Sequence, residues 1–163
     1  MTETNKLHQI NVQYSNTEDR ILLRTSTDNN DEYLIWLTRR FTKLLIDVLD
    51  KEIEKHGGTA EISAKKETKK MFDEGAFEKP YAEEKPKNHP LGENGMLAFG
   101  IKTGTDNNGN LVLEIQSEEK QGITYNLNET LIYMFYSLLT QAIERAEWQL
   151  GKFGERFPNA QLH

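Results

Sequence analysis

Apolar and polar residues alternate along six short runs, and after the third and the sixth the apolar spacing lengthens from two residues to three and four. The first period belongs to strands and the second to helices. In the first half of the chain "HQINVQY", "RILLRTS" and "EYLIWL" read as strands separated by the turns "SNTED" and "TDNND". Thr38 is placed to cap a helix whose buried stripe is Phe41, Leu44, Leu45, Val48, Leu49 and Ile53. "KHGG" ends that helix, because glycine accepts the left-handed conformation.

The second half repeats the order. "GMLAFGIKTG", "LVLEIQS" and "GITYNL" read as strands with the turns "TDNNGN" and "EEKQ" between them. Asn128 caps a long helix with Glu129 in its electropositive first turn. Its stripe runs through Leu131, Phe135, Leu138, Leu139, Ala142, Ile143 and Ala146, and Ile132, Tyr133 and Tyr136 widen it. This helix is expected to be buried on more than one side.

Adding 90 to each residue number lays the segment from Arg20 over the segment from Asn110 without gaps. Ile21 meets Leu111, Leu23 meets Leu113, Ile35 meets Tyr125, Leu37 meets Leu127, Leu45 meets Phe135 and Leu49 meets Leu139. Identities are few but the apolar pattern agrees, which points to an internal duplication. The expected fold is α+β: two tandem antiparallel βββα units related by pseudo-two-fold symmetry, forming one compact domain. Residues 1–57 are the first unit, 58–94 a partly helical, Pro-containing linker, and 95–163 the second unit with a C-terminal extension.

Within the linker, "TAEISAKKETKKMFDEGAF" is rich in helix formers, anchored by Ile62, Met71, Phe72 and Phe77. "EKPYAEEKPKNHPLGENG" contains three of the four prolines and reads as an irregular connector, open to proteolysis. The tail carries Trp148, Leu150, Phe153 and Phe157, expected to fold over the core or onto a neighbouring subunit.

Composition narrows the function. A formal charge of −6, a pI near 5.3 and a mean hydropathy of −0.72 suit a soluble chain and argue against indiscriminate binding of polyanions. With no cysteine, thiolate metal sites and cysteine nucleophiles are excluded. "MTETNKLHQI" has no apolar core of a signal peptide, and no run reaches membrane-spanning length, so a cytoplasmic bacterial-type protein with no membrane role is expected. His8, His56, His89 and His163 are scattered, so no metal site is expected, and "DNNGN" reads as a hairpin turn instead of a calcium loop. No phosphate loop, nucleophile elbow or acid/base pair stands out, so neither enzyme chemistry nor a cofactor is expected.

One stretch breaks the pattern. In "EYLIWLTRR" Tyr33, Ile35 and Leu37 face one side, while Leu34 and Trp36 face the other, so both faces are apolar. In the second unit the corresponding outward residues are Val112, Glu114, Gln116, Thr124 and Asn126, a mostly polar surface. Arg20, Leu22, Arg24, Leu34, Trp36, Arg39 and Arg40 therefore form the candidate site. As a protein interface, Leu22, Leu34 and Trp36 would be the anchors, in a homodimer or against another partner. As a single-stranded nucleic-acid site, Trp36 would stack a base and the arginines would hold phosphates. A bland reading also stands: Trp36 and Leu34 pack on the linker, and the arginines pair with Glu18, Asp19 and Glu32.

The twofold strand-and-helix layout, with "DNNGNLVLEI" and "GITYNL" leading into a helix, resembles the Whirly and PUR class of single-stranded nucleic-acid binders. That resemblance implies nucleic-acid contact through the sheet. "DRILLR", "WLTRR", "HPLGE" and "AEW" are faintly similar to small uncharacterised bacterial proteins. The leading expectation is a non-enzymatic binding or assembly module acting through protein association, with single-stranded DNA or RNA binding as the alternative.

Overall fold

The computed structural model describes residues 7–65 and 88–148. In chain order the elements are β1 (Leu7–Ser15), β2 (Arg20–Thr27), β3 (Glu32–Leu37), α1 (Arg39–Lys55), α2 (Thr59–Ala64), β4 (Met96–Leu97), β5 (Gly100–Thr105), β6 (Leu111–Gln116), β7 (Gly122–Leu127) and α3 (Glu129–Ala146). The protein is α+β, with a four-stranded sheet ordered β1-β2-β3-β4 and a three-stranded sheet ordered β5-β6-β7.

Pairing is antiparallel in both sheets except for β4, which runs parallel to β3. The first unit, β1–β3, is antiparallel as expected, and the departure falls at the start of the expected second unit, where β4 joins the first sheet in the parallel sense. A parallel neighbour needs a long connection, and the chain between α1 and β4 supplies it. "GMLAFGIKTG", expected as one strand, divides in two. Met96–Leu97 pairs with β3, Ala98 N–H donates to Trp36 O at 2.9 Å, and Phe99 N–H donates to Gln116 O at 2.8 Å. Backbone hydrogen bonding thus passes from the first sheet to the second through two consecutive residues.

The end of the presumed irregular connector also docks. Asp31 and Asn88 form a parallel bridge, Glu32 N–H donates to Asn88 O, and His89 Nε2 lies 2.8 Å from Glu32 Oε1. Gly95 has φ +81°, and a Cβ there would come within 2.7 Å of Leu34 O, so only glycine lets the chain pass this close to β3. Within the linker α2 is helical, with Ile62 fully buried. Met71, Phe72 and Phe77 lie outside the described residues, as do Leu150, Phe153 and Phe157 of the tail.

Period-2 alternation builds the core. Val12, Leu23, Ile35 and Met96 form one cross-strand row of buried residues. Leu111, Leu113, Ile115, Ile123, Tyr125 and Leu127 are buried on the second sheet. Cross-strand neighbours on one face are the unit of sheet packing. Helix α1 adds Phe41, Leu45, Leu49 and Ile53, and α3 adds Ile132, Phe135, Leu139 and Ala142, all in the same core cluster. Helix α3 lies against α1, α2, β1 and β7, which accounts for its wide apolar surface. Deep in this core Thr25 Oγ1 and Tyr125 Oη share a 2.9 Å hydrogen bond between β2 and β7, and Tyr125 meets the Phe135 ring edge-on.

Local signals end each element. Thr38 and Asn128 side chains accept the Phe41 and Leu131 N–H groups at the starts of α1 and α3. Gly57 N–H returns to Glu54 O and Gly58 N–H to Ile53 O, closing α1 in a Schellman turn. Helix α3 closes the same way, Glu147 N–H to Glu144 O and Trp148 N–H to Ile143 O, but with Glu147 at φ 58° in the glycine position. "DNNGN" is a hairpin turn: Asp106 Oδ1 accepts the Asn108 and Asn110 N–H groups, and Gly109 takes positive φ.

Candidate functional site

Moving one residue along each strand from the buried row gives its outward counterpart. Gln13, Leu22, Trp36 and Leu97 are cross-strand partners over all four strands of the first sheet. Leu22 and Trp36 are half-buried, whereas Leu97 is 43 % exposed. The adjacent row holds Asn11, Arg24 and Leu34. Phe99, just beyond Leu97, is 67 % exposed, an unusual position for a large apolar ring. Leu97 and Phe99 border a cleft of about 310 Å³ whose walls include Leu91, Met96, Ser117, Glu118 and Glu119. The buried Ser117 hydroxyl has no hydrogen-bond partner among the described residues.

The predicted site residues divide between the two sides of the sheet. Arg20, Leu22, Arg24, Leu34 and Trp36 share the outer face. Arg39 does not join them. Its guanidinium sits 5.4 Å from the Trp148 ring centroid and donates to Asp19 Oδ2 at 3.3 Å, on the helix side of the sheet. Arg40 is exposed on the first turn of α1.

Several groups of the outer face have partners inside the chain. The Trp36 indole N–H donates to Asn94 O at 3.1 Å, so part of the docked connector lies over it. Arg24 Nε donates to Asn11 Oδ1 at 3.1 Å. Arg20 lies 3.8 Å from Glu18 in a solvent-exposed pair, a class that contributes little. Leu97 and Phe99 escaped notice in the sequence, although a signal was there. In "MLAF" the buried Met96 and Ala98 alternate with two exposed large side chains.

A second cluster fixes the end of α3. Asp19 Oδ1 accepts from Tyr14 Oη at 2.6 Å and from Trp148 Nε1 at 2.9 Å, and Tyr14 meets the Trp148 ring edge-on. The hydrogen bond from Tyr14, then that from Trp148, holds the Asp19 carboxyl below its ordinary pKa. The same bond to Asp19 raises the Tyr14 phenol. With every polar group matched and Trp148 buried, this arrangement works as a clasp between the β1–β2 turn and the chain after α3.

Among the described residues no group of three or more His, Asp or Glu side chains could hold a metal ion, and no helix is long and apolar enough to cross a membrane. No protein-family model matches the chain, and no curated protein or solved structure does either.

Proposed function

We propose that the chain is a non-catalytic protein-association module that binds through the outer face of its first sheet. The observation that carries this reading is the continuous apolar strip from Leu22 through Trp36 to Leu97 and Phe99, ending in the two most exposed of these side chains. Exposed apolar patches rimmed by polar residues mark interaction sites, and aromatic groups at their centre are favoured anchors.

The same proposal treats β1–β3 with α1 and β5–β7 with α3 as copies of one ancestral unit. Structural features at the 90-residue offset support it. The caps Thr38 and Asn128 correspond, as do the positive-φ residues Asp19 and Gly109, Asn30 and Lys120, and Gly57 and Glu147. In such a pair the inner faces would be kept and the outer faces free to diverge.

Single-stranded nucleic-acid binding through Trp36, Arg20 and Arg24, as in the Whirly and PUR class, is the competing use of this face. The acidic balance of the chain and the pairing of Arg39 with Asp19 favour protein association over it. A photo-crosslinking side chain at position 99 in cells, with position 126 on the second sheet as control, tests the choice. A discrete protein adduct from position 99 alone is expected. Equal labelling from both positions, or adducts with nucleic acid, would overturn the reading.

A further inference from the structure

The strip is apolar in its middle and charged at its two ends with opposite signs. At the β2 end Arg20 and Arg24 flank Leu22 on the outer face. At the far end the exposed Glu118 and Glu119 stand on the wall of the cleft that Leu97 and Phe99 border, while Lys120 of the same turn does not line it. Leu22 on β2 and Leu97 on β4 are two strand spacings apart, about 10 Å. A surface with a basic end, an apolar middle and an acidic end is complementary to itself after a half-turn.

Building on the association reading above, we infer that the occupant of the face is a second copy of this chain, docked antiparallel about a two-fold axis near Trp36 and Leu97. In this arrangement Arg20 of each protomer opposes Glu118 and Glu119 of the other, and the apolar middles of the two sheets pack face to face. A two-fold interface makes every contact twice, so a self-matched charge pattern counts double. The Glu18 pair of Arg20 is exposed and exchanges readily for a partner carboxylate. Trp148 is only 5 % exposed, so a change in tryptophan emission on association reports on Trp36.

Two charge-reversed variants test the geometry, Arg20→Glu and the pair Glu118→Lys with Glu119→Lys. Each alone places like charges together at both ends and should weaken the dimer about tenfold or more in sedimentation equilibrium. An equimolar mixture should recover a dimer, because the heterodimer is complementary at both ends. Unchanged thermal unfolding of each variant separates lost association from lost fold. A wild-type monomer at every concentration would overturn the inference, as it would if residues of the same chain covered the strip. A mixture no tighter than its components would also overturn it. If Leu97→Ser with Phe99→Ser abolishes a dimer that ignores the charge reversals, the association reading survives and the antiparallel arrangement falls. Oligonucleotide binding by a monomer would remove both.

Discussion

The segments β2–β3 with α1 and β6–β7 with α3 bury matching inner positions and differ on their outer sides, although β5, unlike β1, buries no side chain. Leu23 and Leu113, Ile35 and Tyr125, and Leu45 and Phe135 are all buried at matching positions. On the outer side Leu34 faces Thr124 in this comparison, and Trp36 faces Asn126. Asn126 donates to Asp106 and Gln116 to Glu114, so the second sheet meets water with polar groups that bond one another. The first sheet places an apolar strip in the same place. A core imposes shape on both segments, but only the first carries exposed Leu97 and Phe99 beside its outer face.

The comparison can be sharpened or broken by mutation, beginning with the inner faces. Leu45→Ala and Phe135→Ala should each destabilise strongly, by about 2–5 kcal/mol for the leucine and about 3–5 kcal/mol for the phenylalanine, measured by urea unfolding. A small loss at one site alone would mean that the two segments do not share the core equally.

The outer faces should respond unequally. Trp36→Ala is expected to cost association about 2 kcal/mol, roughly thirty-fold in dissociation constant, whereas Asn126→Ala should leave the mass distribution by light scattering unchanged. Equal effects would erase the distinction between the two faces.

The link between the segments comes next. Tyr125→Phe removes the hydroxyl facing Thr25 Oγ1 and should destabilise by about 1–3 kcal/mol, because the threonine stays buried. Thr25→Val added to that variant should return part of the loss, since it removes the Thr25 hydroxyl left without its Tyr125 partner. No recovery in chemical denaturation would mean that this bond does not couple the sheets.

Smaller effects belong to the helix ends. Thr38→Ala and Asn128→Ala should each cost about 1 kcal/mol, by loss of the side-chain acceptor for Phe41 and Leu131 N–H. A difference of more than that between them in thermal unfolding would show that one helix start has another support. At the other ends, α1 uses Gly57 where α3 uses Glu147. Glu147→Gly should therefore stabilise by about 0.5–1 kcal/mol, as the left-handed conformation strains a side chain with a Cβ. A drop in melting temperature would mean that the Glu147 side chain contributes more than its backbone costs.

Much of this was legible in the chain itself. Alternation in "RILLRTS" and "LVLEIQS" specified which residues are buried, because a strand against a core exposes every second side chain. Thr38, Asn128 and "KHGG" marked helix ends, because unsatisfied backbone groups there need local partners. The double-sided apolar character of "EYLIWL" picked out Leu34 and Trp36 of the outer face, and the paired "RILLRTS" added Arg20, Leu22 and Arg24. What stayed hidden depended on residues far apart in sequence. Arg39 stands one residue from Thr38, yet the distant Trp148 and Asp19 draw it to the helix side of the sheet. Leu97 joined the strip only because β4 entered beside β3 in the parallel sense, with Gly95 allowing the approach.

Local periodicity and capping thus determined most of the strands, the main helices and most of the buried faces, since those features depend on neighbours a few residues away, though Leu44 of the expected α1 stripe is 48 % exposed. Tertiary structure alone decided the parallel entry of β4, the seam at Ala98 and Phe99, and the exposure of the strip. These follow from the pairing of edges between distant segments, and nothing in the local pattern of either edge specifies its partner.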